Sequence, residues 1–141
     1  MNSSENAPNS NRELKFYHIA LVIASLFVYL EWGVGNHSFL FEAEKEVLSK
    51  LFVDPISVLH PFTVFPLIGQ LMLISSLFMK RPNPWLTKTA ILFLACLVGF
   101  IFVVGVLSMN WKIMVSTMPF LILAILAWKK HSIVEKSYST E

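Results

Sequence analysis

The chain has 141 residues, of which 55% are apolar and only 14% charged, against about 25% charged in an ordinary soluble domain. That length suits one domain, and the composition excludes a fold solvated on all sides. The net charge of +2 rests on few basic residues beside apolar runs, which excludes nucleic acid as a partner, and the lone Cys96 excludes an internal disulfide or dithiol exchange.

The opening MNSSENAPNSN is rich in Asn and Ser and short of apolar residues, which predicts a disordered tail over residues 1–12. A first membrane helix is expected over 15–34, built on the run Phe16 to Leu30. A cleaved signal peptide is the competing reading of that run, and Glu31 and Trp32 ahead of Gly33-Val34-Gly35 argue against it. Glu31 falls in the last turn of the expected helix. At 100° per residue it shares a face with Ala20 and Ala24, which turns it toward the bundle at the outer boundary. The alternative for Glu31 is a helix end wetted by external water.

Residues 39–53 carry Leu40, Ala43, Val47, Leu48 and Leu51 at helical spacing, and Glu46 and Lys50 form an i, i+4 pair. A short amphipathic helix lying on the outer surface is expected. Glu42, Glu44 and Glu46 near His37 do not predict a metal site, because helical spacing turns Glu44 away from the other two.

A second membrane segment is expected over 58–79, and Pro61 as the first helical position makes the helix itself span Pro61 to Met79, with His60 just outside it, level with Glu31. Gln70 then falls near the bilayer midplane, where an amide either ties helices together or holds a ligand, and Pro66 loosens the turn above it. The sequence RPNP at 81–84 makes a tight turn into a third helix over 86–108, where Ala95 and Gly99 offer a small-residue contact for a homodimer. SMNWK turns the chain into a fourth helix over 111–129. Asn110, Lys112 and Thr117 bring polarity to its outer end, Lys129, Lys130 and His131 anchor its other end at the headgroups, and residues 132–141 form a second tail.

The fold class read from these runs is an all-α integral membrane protein: a four-transmembrane-helix antiparallel bundle over 13–131, with an external amphipathic helix between the first and second spans. Eight Lys and Arg fall on one side of it, at positions 12, 15, 80, 81, 88, 129, 130 and 136, and three on the other, at 45, 50 and 112. This bias places both termini in the cytoplasm, in a plasma or bacterial inner membrane, and a Trp marks each of four helix ends.

Polar residues collect in the outer half. Glu31, His60, Asn110, Lys112 and Thr117, with Gln70 deeper, form the candidate ligand-binding set, a pocket that opens outward. The sequence has no HExxH, CxxC, phosphate loop or G-x-S-x-G elbow, and no cofactor is expected. Three functions fit. The first is a non-catalytic accessory or assembly subunit that binds a membrane-protein partner. The second is a carrier of a small amphipathic molecule such as a lipid or quinone. The third is a membrane-embedded enzyme with Glu31 and His60 as an acid–base pair.

Overall fold

The structure, a computed structural model, describes residues 3–80 and 83–139, with side chains from Asn11 to Lys136 within those limits. Arg81 and Pro82 of the expected RPNP turn lie outside the described residues. The elements in order are α1 (Ser3–Leu26), β1 (Tyr29–Trp32), β2 (Asn36–Phe39), α2 (Leu40–Val53), α3 (Pro55–Val58), α4 (Pro61–Phe78), α5 (Pro84–Leu107) and α6 (Trp111–Ser139).

Three helices are long and apolar enough to cross a membrane: α4, α5, and α6 from Trp111 to Lys136. Their outward faces expose Leu71, Leu92, Phe100, Ile122 and Ile125, which suits contact with hydrocarbon. A mostly helical chain with three such segments has the build of an all-α integral membrane protein.

The expected first span departs most from the sequence reading. α1 ends at Leu26, and residues 29–39 form an antiparallel hairpin in the register Tyr29↔Phe39, Leu30↔Ser38, Glu31↔His37 and Trp32↔Asn36. Gly33 (φ 63°) and Gly35 (φ 81°) close its three-residue loop in the left-handed region that glycine enters freely. Tyr29 stacks on His37 and meets Phe39 edge-on across the pair. Glu31 is therefore on a strand, not in a helical turn, and the face it was expected to share with Ala20 and Ala24 does not exist. Both expected tails also differ. α1 begins at Ser3 and α6 continues to Ser139, because each added residue extends a helix already held at Leu14, His18 and His131.

α4 packs on α1 and α5, α5 on α6, and α6 on α1, closing a ring of four helices. Leu21, Leu73, Leu94, Val98, Phe120 and Ala127 fill its centre. α4 runs unbroken through the buried Pro66. A Cβ on Gly69 would stand 2.9 Å from the Ala90 carbonyl oxygen, so this glycine lets α4 and α5 approach backbone to backbone. Gly99, by contrast, faces open space.

α4 begins at Pro61, as expected, whereas α5 begins at Pro84, two residues before the expected start and inside the stretch expected as a turn. Nδ1 of His60 accepts from the Phe62 N–H at 3.3 Å, and Oδ1 of Asn83 accepts from the Trp85 N–H at 3.0 Å. The hairpin, α2 and α3 sit at one end of the ring. The start of α1, the end of α4, the start of α5 and the end of α6 occupy the other.

Candidate functional site

Two buried polar clusters lie on the seam between α1 and α4. On α1 the buried positions Leu14, His18, Leu21 and Ser25 recur at intervals of four and three, so His18 and Ser25 belong to its inward stripe. On α4 the matching residues are Gln70, Leu73 and Ser76. Leu21 and Leu73, both fully buried, separate the clusters by about 10 Å of helix rise.

The cluster nearer the hairpin is built by α2. Leu40, Glu44, Val47 and Leu51 fall within about 60° of one another on a helical wheel, so the apolar face that seats α2 carries an acid at its centre. Glu44 is 9% exposed. Nε2 of Gln70 donates to Oε1 of Glu44 at 2.8 Å and to Oγ of Ser25 at 3.2 Å, joining α4 to α2 and α1. Burial pushes the Glu44 carboxyl up to about 7, against the opposing effect of the Gln70 hydrogen bond. Beside it is a cavity of about 40 Å³, lined by Ala43, Glu44, Thr63, Pro66 and Leu97 among others. That is room for about two or three waters.

The outer acids of α2 behave differently. Hydrogen bonds from the Ser38 hydroxyl and then the Phe39 N–H hold Glu42 below the usual carboxylate range, and Lys50 does the same for Glu46 through a hydrogen bond and its charge.

The second cluster joins all four helices. His18 of α1 and His131 of α6 stack with ring centroids 5.2 Å apart and Nε2 atoms 3.0 Å apart. Their proton positions follow from donor count. Oγ of Ser76 donates its single proton to the Leu73 carbonyl at 2.6 Å and so accepts from Nδ1–H of His18, also at 2.6 Å. That leaves Nε2 of His18 a bare lone pair, which accepts from Nε2–H of His131. Thr87 donates to the Asn83 carbonyl at 3.2 Å and lies 3.3 Å from Nε2 of His18. One proton on each ring satisfies the pair. Beyond it, Lys88 pairs with Glu135 and Lys130 with Glu13 at the helix ends.

The six residues singled out from sequence do not converge on one pocket. Nδ2 of Asn110 donates to Oε2 of Glu31 at 2.7 Å, while Oδ1 of Asn110 accepts from the Lys112 N–H at 3.1 Å. The Lys112 ammonium lies 6.0 Å from the centroid of the Tyr29 ring. These three form a local group on the exposed rim, and the partner of Glu31 is the Asn110 amide, where His60 was expected as the other half of an acid–base pair. His60 is exposed, caps α4 and stacks on Phe62. Thr117 is buried, but its hydroxyl bonds the Ile113 and Met114 carbonyls of its own helix. Gln70 is the one of the six in a buried cluster.

The sequence reading missed Glu44, Ser25, His18, Ser76, Thr87 and His131 as cluster members. His131 was expected at the lipid headgroups, and the structure buries its ring against His18. Two signals were present: Glu44 interrupts the apolar stripe Leu40, Val47, Leu51, and His18 lies inside the apolar run of α1. The chain matches no protein-family model, and neither the curated proteins nor the solved structures show a match.

Proposed function

We propose that the chain crosses the membrane four times as an antiparallel bundle, α1 supplying the remaining span, and serves as a non-catalytic accessory or assembly subunit for another membrane protein. Both termini lie in the cytoplasm of a plasma or bacterial inner membrane on this reading, which the eight-to-three distribution of Lys and Arg supports. The exposed indoles of Trp32, Trp85, Trp111 and Trp128 mark the headgroup levels.

The observation that carries the reading is a filled interior. Among the described residues no buried side-chain nitrogen or oxygen lacks a hydrogen-bond partner, and the cavity beside Glu44 is far below the ~300–1,000 Å³ of small-molecule sites. A lipid or quinone carrier gains little support from such a core. The enzyme reading loses its pair, since Glu31 and His60 engage Asn110 and Phe62 respectively. The outside offers more: Phe52, Val53, Ile56 and Leu59, at the end of α2 and along α3, expose apolar side chains at the hairpin end.

A photo-crosslinking amino acid at positions 52 and 56 tests this in the native membrane. A discrete protein adduct at both positions, with the one from position 52 disappearing in Ile56→Glu, is the expected result. Adducts to lipid alone at both positions sink the accessory reading.

A further inference from the structure

α2 is held to the bundle through a buried carboxyl that faces no cation. The groups around Glu44 are Ser25 from α1, Gln70 and Thr63 from α4, and Leu97 from α5, none charged or titratable. The nearest titratable side chains along those helices are Cys96, which is exposed on α5 beside Leu97, His18, two turns below Ser25, and His60, at the exposed start of α4. On α2 itself, Glu42 is exposed and bonded to Ser38, Lys45 is exposed, and Glu46 pairs with Lys50 on the solvent side. One amide donor does not offset a desolvated carboxylate, whereas a neutral acid is tolerated there. The adjoining cavity has space for the water that would deliver or remove a proton.

We propose that Glu44, Gln70 and Ser25 form a proton-binding site that couples acidity on the hairpin side of the membrane to the seating of α2. With Glu44 protonated, α2 rests its apolar face on α1 and α4. Loss of the proton places an unpaired charge in that contact, and α2 loosens to bring the carboxylate to water. This goes beyond the accessory role and holds whatever partner the exposed rim engages.

The sign follows from linkage. The Glu44 carboxyl is pushed up to about 7 when seated and returns to its ordinary value of 4.5 when exposed to water, so the seated state binds the proton more tightly. Seating is strongest below about 4.5, weakens as pH rises from there to about 7, and changes no further above that. The full change in the seating equilibrium is on the order of a hundredfold.

Hydrogen exchange on the full chain in lipid nanodiscs, corrected for the intrinsic pH dependence of amide exchange, reads this directly. Protection of the α2 amides is expected to fall at least about tenfold between pH 5 and pH 8, with α5 unchanged. Glu44→Gln, which keeps an amide contact but cannot ionise, should make the α2 profile flat. Gln70→Leu removes the donor that favours the carboxylate and should move the midpoint upward. Infrared difference spectra should show a carboxylic acid band that titrates with α2 protection and is lost in Glu44→Gln. An α2 profile that is flat in the wild type, or that keeps its pH dependence in Glu44→Gln, overturns the proposal. So does a midpoint unmoved by Gln70→Leu, or a Glu44 band that titrates while α2 protection stays constant.

Discussion

The two buried clusters use the same pair of helices and differ in what closes them. His18 and His131 are fixed by Ser76 and Thr87, so that α1, α4, α5 and α6 each contribute a side chain and each donor meets an acceptor. Glu44 and Gln70 instead join the bundle to α2, a short helix whose opposite face is in water, through an acid that lacks a counter-charge. A polar group enclosed by four long helices acts as a rivet. One carried by a peripheral helix can be released by moving that helix alone. The energetic consequences should differ in size and in their dependence on pH.

The largest effect is expected from breaking the rivet on one side. His131→Ala leaves Nε2 of His18 with Thr87 at 3.3 Å as its remaining contact and opens a void between α1 and α6. An unsatisfied buried nitrogen and a cavity together should cost about 2–4 kcal/mol, read as a lowered melting temperature in detergent. Replacing both rings, His18→Leu with His131→Leu, removes donor and acceptor together and should cost clearly less than the sum of the single changes. Additive losses would mean that the rings pack without depending on their hydrogen bond.

A smaller effect is expected at Gly69, beside the acid cluster. Gly69→Ala would place a methyl 2.9 Å from the Ala90 carbonyl oxygen, forcing α4 away from α5. The cost should be about 1–3 kcal/mol. Because Gln70 is the next residue and Ser76 is two turns further on, the disturbance should loosen α2 while leaving amides near His18 protected. If exchange near His18 rises equally, the clusters form one mechanical unit and the contrast between them fails.

The long apolar helices were legible because hydropathy over a membrane-length window is decided by composition alone, and His60-Pro61 announces where one of them begins. The end of α1 was not legible. Val28-Tyr29-Leu30 suits a buried helix and a strand equally well. Gly33 and Gly35 settle the matter only through their left-handed dihedrals, and the strand they return to, Asn36-His37-Ser38-Phe39, has no strong pattern of its own. Of the site, Gln70 was visible because an amide at mid-membrane depth demands a partner. Its partner was hidden because helical spacing turns Glu44 away from Glu42 and Glu46 without saying which side of α2 meets the bundle, and that is set by packing against α1 and α4. The meeting of His18 with His131 depends on ring closure between the first and last helices, which no local pattern encodes.

The smallest expected effect is at the rim, where Asn110 does two things at once. Its Oδ1 accepts the Lys112 N–H and so caps α6, and its Nδ2 donates to Glu31 on the hairpin. Asn110→Ala removes both and should cost about 1 kcal/mol, the usual loss for an N-cap. Asn110→Ser keeps a capping oxygen but is too short to carry the amide donor to Glu31. If the cap accounts for the effect, the serine variant should fall within about 0.5 kcal/mol of wild type. A serine variant as damaged as the alanine one would instead assign the loss to the Glu31 bridge, and would return to the hairpin a structural weight that its exposure argues against. Melting both variants beside Glu31→Gln separates these outcomes, because the glutamine substitution removes the charge and leaves the cap of α6 untouched.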